Sequence, residues 1–350
     1  HWPLEFPDVF PDGFDAVVGN PPWEMLRAGA GAGQRSDMNA FARRSGVYPR
    51  SNAGHLNLYQ LFVERALQLA RPEGRVGLIL PWGLMADEGA APLRRHLFDG
   101  TSIDTLARFD NRAAIFHAHR SLRFAAVTAA SGAATEAIHI TPVEAPAALD
   151  DLPESGRLSG GIVLTRRAVE ELSGPSLRLP DASGPDALAI ALRLARRHRA
   201  LGDPEGWGAS FGRELNLTDD RRYFSRSGRG MPVLEGKHIA PFRADPASAR
   251  HHITRESARV LLPDRAFERA RLAYRDVTAP TNRQTLISAM FPAGCVTGHS
   301  LFCLRNEWDT AAQRALCVIL NSRIANFLIR LFVSAHVTAA LIAWLPVPDM

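Results

Sequence analysis

The order strand, helix, strand constrains this chain more than any other feature. FDAVVGN (14–20) is a short apolar, partly β-branched run, and LNLYQLFVERALQLA (56–70) repeats its apolar residues on one helical face. GRVGLILP (74–81) is again continuously apolar, and the intervening RPEG supplies a helix stop. Short apolar runs bounded by turn residues are buried strands. GAAPLRRHLFD (89–99) reads as a further helix, and IDTLARFD (103–110) and SLRFAAVTAA (121–130) as further strands. Strands alternating with helices predict βαβ units and a largely parallel sheet. The last two strands are close in sequence, so an antiparallel hairpin is expected at the sheet edge.

At 350 residues the chain has room for two cores. From about 131 to 160 the composition turns to Ala, Pro, Gly, Ser and acids, which reads as a connection. The expected organisation is therefore a first domain over 1–132, a connection over 133–160 and a mixed α/β second domain over 161–350. DALAIALRLARRHRAL (186–201) is helical in pattern. Charge divides the same way: residues 1–150 carry a net of −2 and residues 151–350 a net of +7, with Lys237 the only lysine. A near-neutral half joined to a basic half suggests that the second half meets a polyanion.

Other classes are disfavoured. Cys295, Cys303 and Cys317 are odd in number and no CxxC occurs, so neither a disulfide framework nor a zinc knuckle is indicated. A reducing cytoplasm is the simplest compartment. HWPLEFPDVF at the start holds acids and prolines in place of a signal peptide's basic then apolar pattern. The apolar stretch from Ala315 to Pro346 is interrupted by Arg323, Asn326 and Arg330 and reads as packed helices, not a membrane span.

The first strand leaves through Asn20-Pro21-Pro22-Trp23. Asn20 precedes a proline and is pushed towards extended backbone. Pro21 and Pro22 fix φ and remove two N–H donors, so the segment cannot curl into a helix. The result is a stiff tetrapeptide at the carboxyl end of a strand, where open α/β sheets place their ligands. It offers the Asn20 amide oxygen and a main-chain carbonyl as neutral acceptors beside the aromatic face of Trp23. Two acceptors beside an aromatic wall suit a planar group bearing an NH2, such as adenine. Hydrogen bonds from both amino protons would bias that nitrogen towards tetrahedral geometry and free its lone pair for attack on a methyl sulfonium, by positioning and fixed dipoles alone.

FDAVVGNPPW resembles motif IV of the adenine-N6 DNA methyltransferases that use S-adenosyl-L-methionine. LNLYQLFVERALQLARPEGRVGLILPWGL (56–84) is similar to that family's next helix and strand, and IDTLARFDNRAAIFHAHRSLRFAAVTA (103–129) to its last catalytic motifs. The resemblance implies a partial Rossmann-like methyltransferase sheet followed by a mixed α/β target-recognition domain, as in restriction–modification enzymes. It implies that Asn20, Pro21, Pro22 and Trp23 are catalytic, and that Phe116, matching a Phe just before the final strand, stacks with Trp23 on a flipped-out adenine. It also implies that Asn20 and Pro22 line the methionine end of the cofactor pocket.

The family's glycine-rich cofactor loop and its acidic partners precede motif IV, and only nineteen residues precede Asn20 here, so the chain reads as a fragment lacking that motif. The implied partners are double-stranded DNA and a restriction endonuclease domain or subunit. NLTDDRRYF, PVLEGKHIAPF, YRDVTAPTNRQTLI and LNSRIANFLIR resemble segments of such recognition domains. Arg213, Lys237, Arg275, Asn282 and Arg283, in polar segments interleaved with aromatics, are the expected DNA contacts. The alternatives are a sequence-specific DNA-binding module that does not catalyse, and an NPPY-type methyltransferase acting on RNA or on a protein glutamine.

Three signals weigh less. GAGAG (29–33) has no strand leading into it and is expected as a mobile loop beside the site, not a nucleotide fingerprint. Asp220, Glu235 and Lys237 have the residue types of a nuclease metal site at a permissive spacing. His117, His119, His251 and His252 lack partners at metal-ligand spacing, and no metal is expected.

Overall fold

The computed structural model describes residues 2–10, 12–26, 34–52, 56–112, 114–117, 120, 122–143, 161–182 and 184–349. It divides into two compact units, His1–Leu179 with Ser183–Ala187, and Pro180–Ala182 with Leu188–Met350.

The first unit is an α/β layer with a six-stranded mixed sheet. Its strands are β1 (Phe14–Gly19), β2 (Ala70–Pro81), β3 (Thr101–Asp110), β4 (Arg123–Ser131), β5 (Ala137–Val143) and β6 (Ile162–Thr165), in spatial order β1-β2-β4-β3-β5-β6. β1 and β2 are parallel, Val17 opposite Val76, and the helix Leu58–Leu69 lies between them in sequence as a crossover. Val63 and Leu67 of that helix share a small internal cavity with Val76, Leu78 and Leu80 of β2 and Val127 and Ala129 of β4. RPEG is a bulge: the register jumps from Phe14–Ala70 to Ala16–Arg75. β1 lies at one end of the strand order, and Val18 there is 83% exposed.

Three expectations change. FDAVVGN reads as a buried strand, but none of the residues Phe14–Gly19 is buried, since β1 lies at the end of the strand order. β3 and β4 do pair antiparallel, but β4 lies inside the sheet between β2 and β3, not at its edge. Phe124 and Ala125 point to opposite faces and both are buried, as an interior strand requires. The first unit also runs past residue 132. In the segment read as a connection, Ile138, Ile140 and Val143 are buried in β5, parallel to β3, with β6 antiparallel beyond it; residues 144–160 lie outside the described residues. The helix Arg166–Ser173 follows β6. The buried Arg94 guanidinium then donates to the main-chain oxygens of Leu84 (2.7 Å), Asp87 (3.0 Å) and Ser176 (2.8 Å), and Leu179 N–H donates to Met85 O at 2.9 Å. These bonds hold residues 176–179 to the first unit.

In the second unit a four-stranded antiparallel sheet runs Ser288–Phe291, Arg271–Arg275, Leu301–Leu304, Phe211–Gly212. A three-stranded sheet runs His251–Ile253, Met231–Leu234, Val296–Thr297. Leu234, Ala273, Phe291, Leu301 and Cys303 share one core. The Arg271 guanidinium is buried against Glu214, with Nε to Oε1 at 2.7 Å, and Glu214 Oε2 accepts from Thr297 N–H at 2.7 Å.

The helices Thr310–Asn321 and Arg323–Arg330 carry two buried asparagines. Asn326 Oδ1 accepts from the N–H groups of Thr285 and Leu286, each at 2.9 Å. The Asn321 side chain accepts from Ser288 N–H (3.1 Å) and donates to Ser288 O (2.9 Å). Among the described residues no helix is long and apolar enough to cross a membrane.

Candidate active site

β1 and β2 are parallel, and β4 is antiparallel to both β2 and β3. The carboxyl ends of β1, β2 and β3 and the start of β4 therefore share one end of the sheet. Asn20-Pro21-Pro22-Trp23 leaves β1 at this end. Pro21 is buried and Pro22 exposed. Asn20 is exposed, not turned into the core, and its side chain makes no hydrogen bond to a described residue. Past Trp23 the chain is tied to the start of the Leu58–Leu69 helix: Leu26 N–H donates to Leu56 O (2.8 Å), Leu58 N–H donates to Glu24 O (2.9 Å), and Met25 bridges Asn57. The corner is thus fixed by two prolines on one side and an antiparallel bridge on the other.

Trp23 is half-buried, and its indole N–H donates to Ile79 O of β2 at 3.3 Å. Its ring centre lies 5.2 Å from Phe116, at 63° between planes, and 5.8 Å from Phe124 of β4. Phe116 meets Phe124 edge-on at 4.9 Å, and Phe124 stacks on Phe109 of β3 at 4.9 Å and 3°. The structure thus brings Trp23 and Phe116 together, in edge contact. At the rim Asp110 pairs with Arg112 at 3.2 Å, and burial first, then the nearby Arg112 charge, lower the pKa of Arg123. Phe109, Phe124 and Asn111 were not singled out from the sequence. An aromatic opposite an aromatic on paired strands is the signal that marks the first two.

Asn20 and Pro22, the residues expected at the methionine end of a cofactor pocket, are both exposed. GAGAG and His119 lie outside the described residues, while His117 is exposed.

In the second unit Arg213, Lys237, Asn282 and Arg283 are exposed and Arg275 is half-buried. Arg213 pairs with the buried Asp276 at 2.7 Å and covers the Phe302 ring at 4.8 Å. His336 Nδ1 approaches the same Asp276 carboxylate at 3.2 Å. Lys237 pairs with Glu235 at 2.8 Å. Gly236 packs against Arg275: a Cβ there would meet Arg275 Cγ at 2.9 Å, so this turn has room only for glycine. Lys237 follows this glycine in the chain, and burial lowers the pKa of Arg275. Asn282 and Arg283 share a loop whose carbonyls both accept from Arg330 at 2.7 Å. Asp220 accepts from Asn216 N–H at 2.8 Å and so closes its own loop. Among the described residues no group of three His, Cys, Asp or Glu side chains is arranged to hold a metal ion.

No curated protein matches the chain. Solved structures of low identity resemble it. The type IIL restriction-modification enzyme MmeI in complex with DNA is 12% identical over 89% of this chain and 43% of that one, at a TM-score of 0.49. The type IIG restriction endonuclease BpuSI is 11% identical over 96% and 47%, at 0.41. The type I restriction-modification methyltransferase subunit from Streptococcus thermophilus is 14% identical over 46% and 36%, at 0.33. The chain spans less than half the length of each of these structures. Residues 1–116, from the first residue through the corner to Phe116, match the model of the Eco57I restriction-modification methylase family.

Proposed function

We propose that this chain carries the catalytic corner and the DNA-reading part of a site-specific methyltransferase. The reaction is transfer of a methyl group from S-adenosylmethionine to N6 of adenine, within a restriction–modification or related phage-defence system. One juxtaposition supports the reading above all. An exposed Asn20 on a proline-fixed corner directly precedes Pro21-Pro22-Trp23 in the chain, and Trp23 meets Phe116, all inside the stretch that matches a methylase family, with Phe124 against both rings just beyond it.

N6 of adenine is buried in the duplex, so the base has to be turned out at a cost of a few kcal/mol. Stacking on Trp23 or Phe116 at about 1–3 kcal/mol per base is of a size to offset that. The Asn20 amide oxygen and the Pro21 carbonyl accept the two N6 protons and hold the nitrogen's lone pair outward. Neither acceptor has to move or ionise, so the dipoles are in place before the reaction. S-adenosylmethionine, when bound, supplies the electrophilic methyl group, and the exposed Asn20 and Pro22 are placed to hold its methionine end. The basic second unit supplies salt-dependent phosphate contacts and base readout.

Radiolabelled methyl transfer to duplex DNA by the full-length gene product tests this. Wild type should label adenine N6 and Asn20→Ala should not. Equal labelling by Asn20→Ala sinks the mechanism.

A further inference from the structure

We infer that Asn111 is a positioning residue that fixes the backbone of Phe116, so that the Phe116 ring alone swings to admit the base. The inference rests on the methyltransferase reading above and adds a residue to it.

Asn111 directly follows β3 and is fully buried. Its amide engages both polar main-chain groups of Phe116: Oδ1 accepts from Phe116 N–H at 2.9 Å, and Nδ2 donates to Phe116 O at 3.1 Å. The amide orientation is not arbitrary, because a backbone N–H can only donate and a carbonyl can only accept. The loop is closed around the same residue: Asn111 N–H donates to Leu122 O at 2.9 Å and Ala114 N–H donates to Asn111 O at 2.9 Å. A buried amide that loses such partners bears their full desolvation cost, so the bracket is not released lightly.

From this fixed point the Phe116 ring reaches Trp23 at 5.2 Å and Phe124 at 4.9 Å. A base stacked between Trp23 and Phe116 needs two van der Waals gaps, about 7–8 Å between ring centres. The contact is therefore too close to hold one, and the cleft between these two rings is shut. Trp23 is pinned through Ile79 and the Phe116 main chain through Asn111. The freedom left is rotation of the Phe116 side chain, which turns out to admit the base and then covers its face. Holding the backbone makes that return repeatable, which is the entropy saving a positioned catalyst needs.

The test uses the full-length product in three forms: wild type, Asn111→Asp and Asn111→Ala. Aspartate keeps the acceptor for Phe116 N–H and loses the donor. The expected order of kcat is wild type, then Asp, then Ala, with a fall of about tenfold or more in the alanine variant and KM for DNA within about twofold. In protein labelled with 5-fluorotryptophan, the Trp23 fluorine resonance, assigned with Trp23→Phe, should move in Asn111→Ala towards its position in Phe116→Ala. Asp should move it less, and serves alone if the alanine variant does not fold. An unmoved Trp23 resonance in both Asn111 variants overturns the inference, as does a moved resonance with unchanged kcat. If wild type transfers no methyl group, the function reading fails. The fluorine signal then still decides whether Asn111 sets the ring.

Discussion

The indole N–H of Trp23 donates to the carbonyl of Ile79 at 3.3 Å, so the aromatic end of the corner is fastened to the strand beside it. Trp23→Phe keeps a ring and removes this bond. The expected loss is about 1 kcal/mol in unfolding free energy, with methyl transfer down by less than about tenfold. Trp23→Ala also removes the stacking surface, and transfer should fall by about tenfold to a hundredfold. Denaturant unfolding and single-turnover labelling check the pair.

Glu214 and Arg271 neutralise each other in the second unit with side chains 0% and 1% exposed. Glu214→Ala strands a guanidinium in the core and also releases the Thr297 N–H. We expect a loss of about 3–5 kcal/mol in denaturant unfolding. Replacing both residues by apolar ones of similar volume should recover much of it.

Burial raises the thiol pKa of Cys295 and Cys317 and pushes that of Cys303 up to about 12. In native protein at pH 8 all three should resist alkylation, and all three should react once it is unfolded. Burial likewise pushes the Tyr59 hydroxyl from 10.0 to about 12. Folded protein then holds the phenol proton where unfolded protein has released it, so this group's contribution is intact below pH 10 and is lost between pH 10 and 12. The unfolding free energy of wild type minus that of Tyr59→Phe should fall across that interval.

The exposed Arg283 and the braced Arg213 should separate in a binding experiment. Arg283→Ala should weaken DNA binding, lower the salt slope by about one, and leave stability unchanged. Arg213→Ala should weaken binding too, but it also removes one of the two partners of a buried carboxylate and so should lower the thermal midpoint. Salt-titrated binding together with a melting curve checks both.

The first sheet was largely legible because its strands and its crossover helix are long enough to show a period. β1, the Leu58–Leu69 helix, β2 and β3 lie close to where the apolar pattern puts them. The position of β4 was not legible, since nearness in sequence says which strands pair but not which strand is inserted between others. β5 was hidden by the Pro, Ala and Glu around it, although Ile138 and Ile140 keep the alternation. In the second unit the strands are two to five residues long, below the length at which a period shows. Its Glu214–Arg271 pair joins residues far apart in sequence. At the site the stiff corner could be read from two prolines. The Asn111 bracket could not, because a single asparagine carries no pattern.

The side chains of Asn321 and Asn326 do for the outer strand of the second unit what a neighbouring strand would otherwise do. They meet N–H groups at Thr285, Leu286 and Ser288 and the carbonyl of Ser288. Unmatched strand borders invite a second molecule to zip on, and proteins commonly blunt them with lysine, proline or bulges. Here two amides on a helix pair, with the Phe242 N–H that also donates to Ser288 O at 2.9 Å, act as a selvedge where the strand begins.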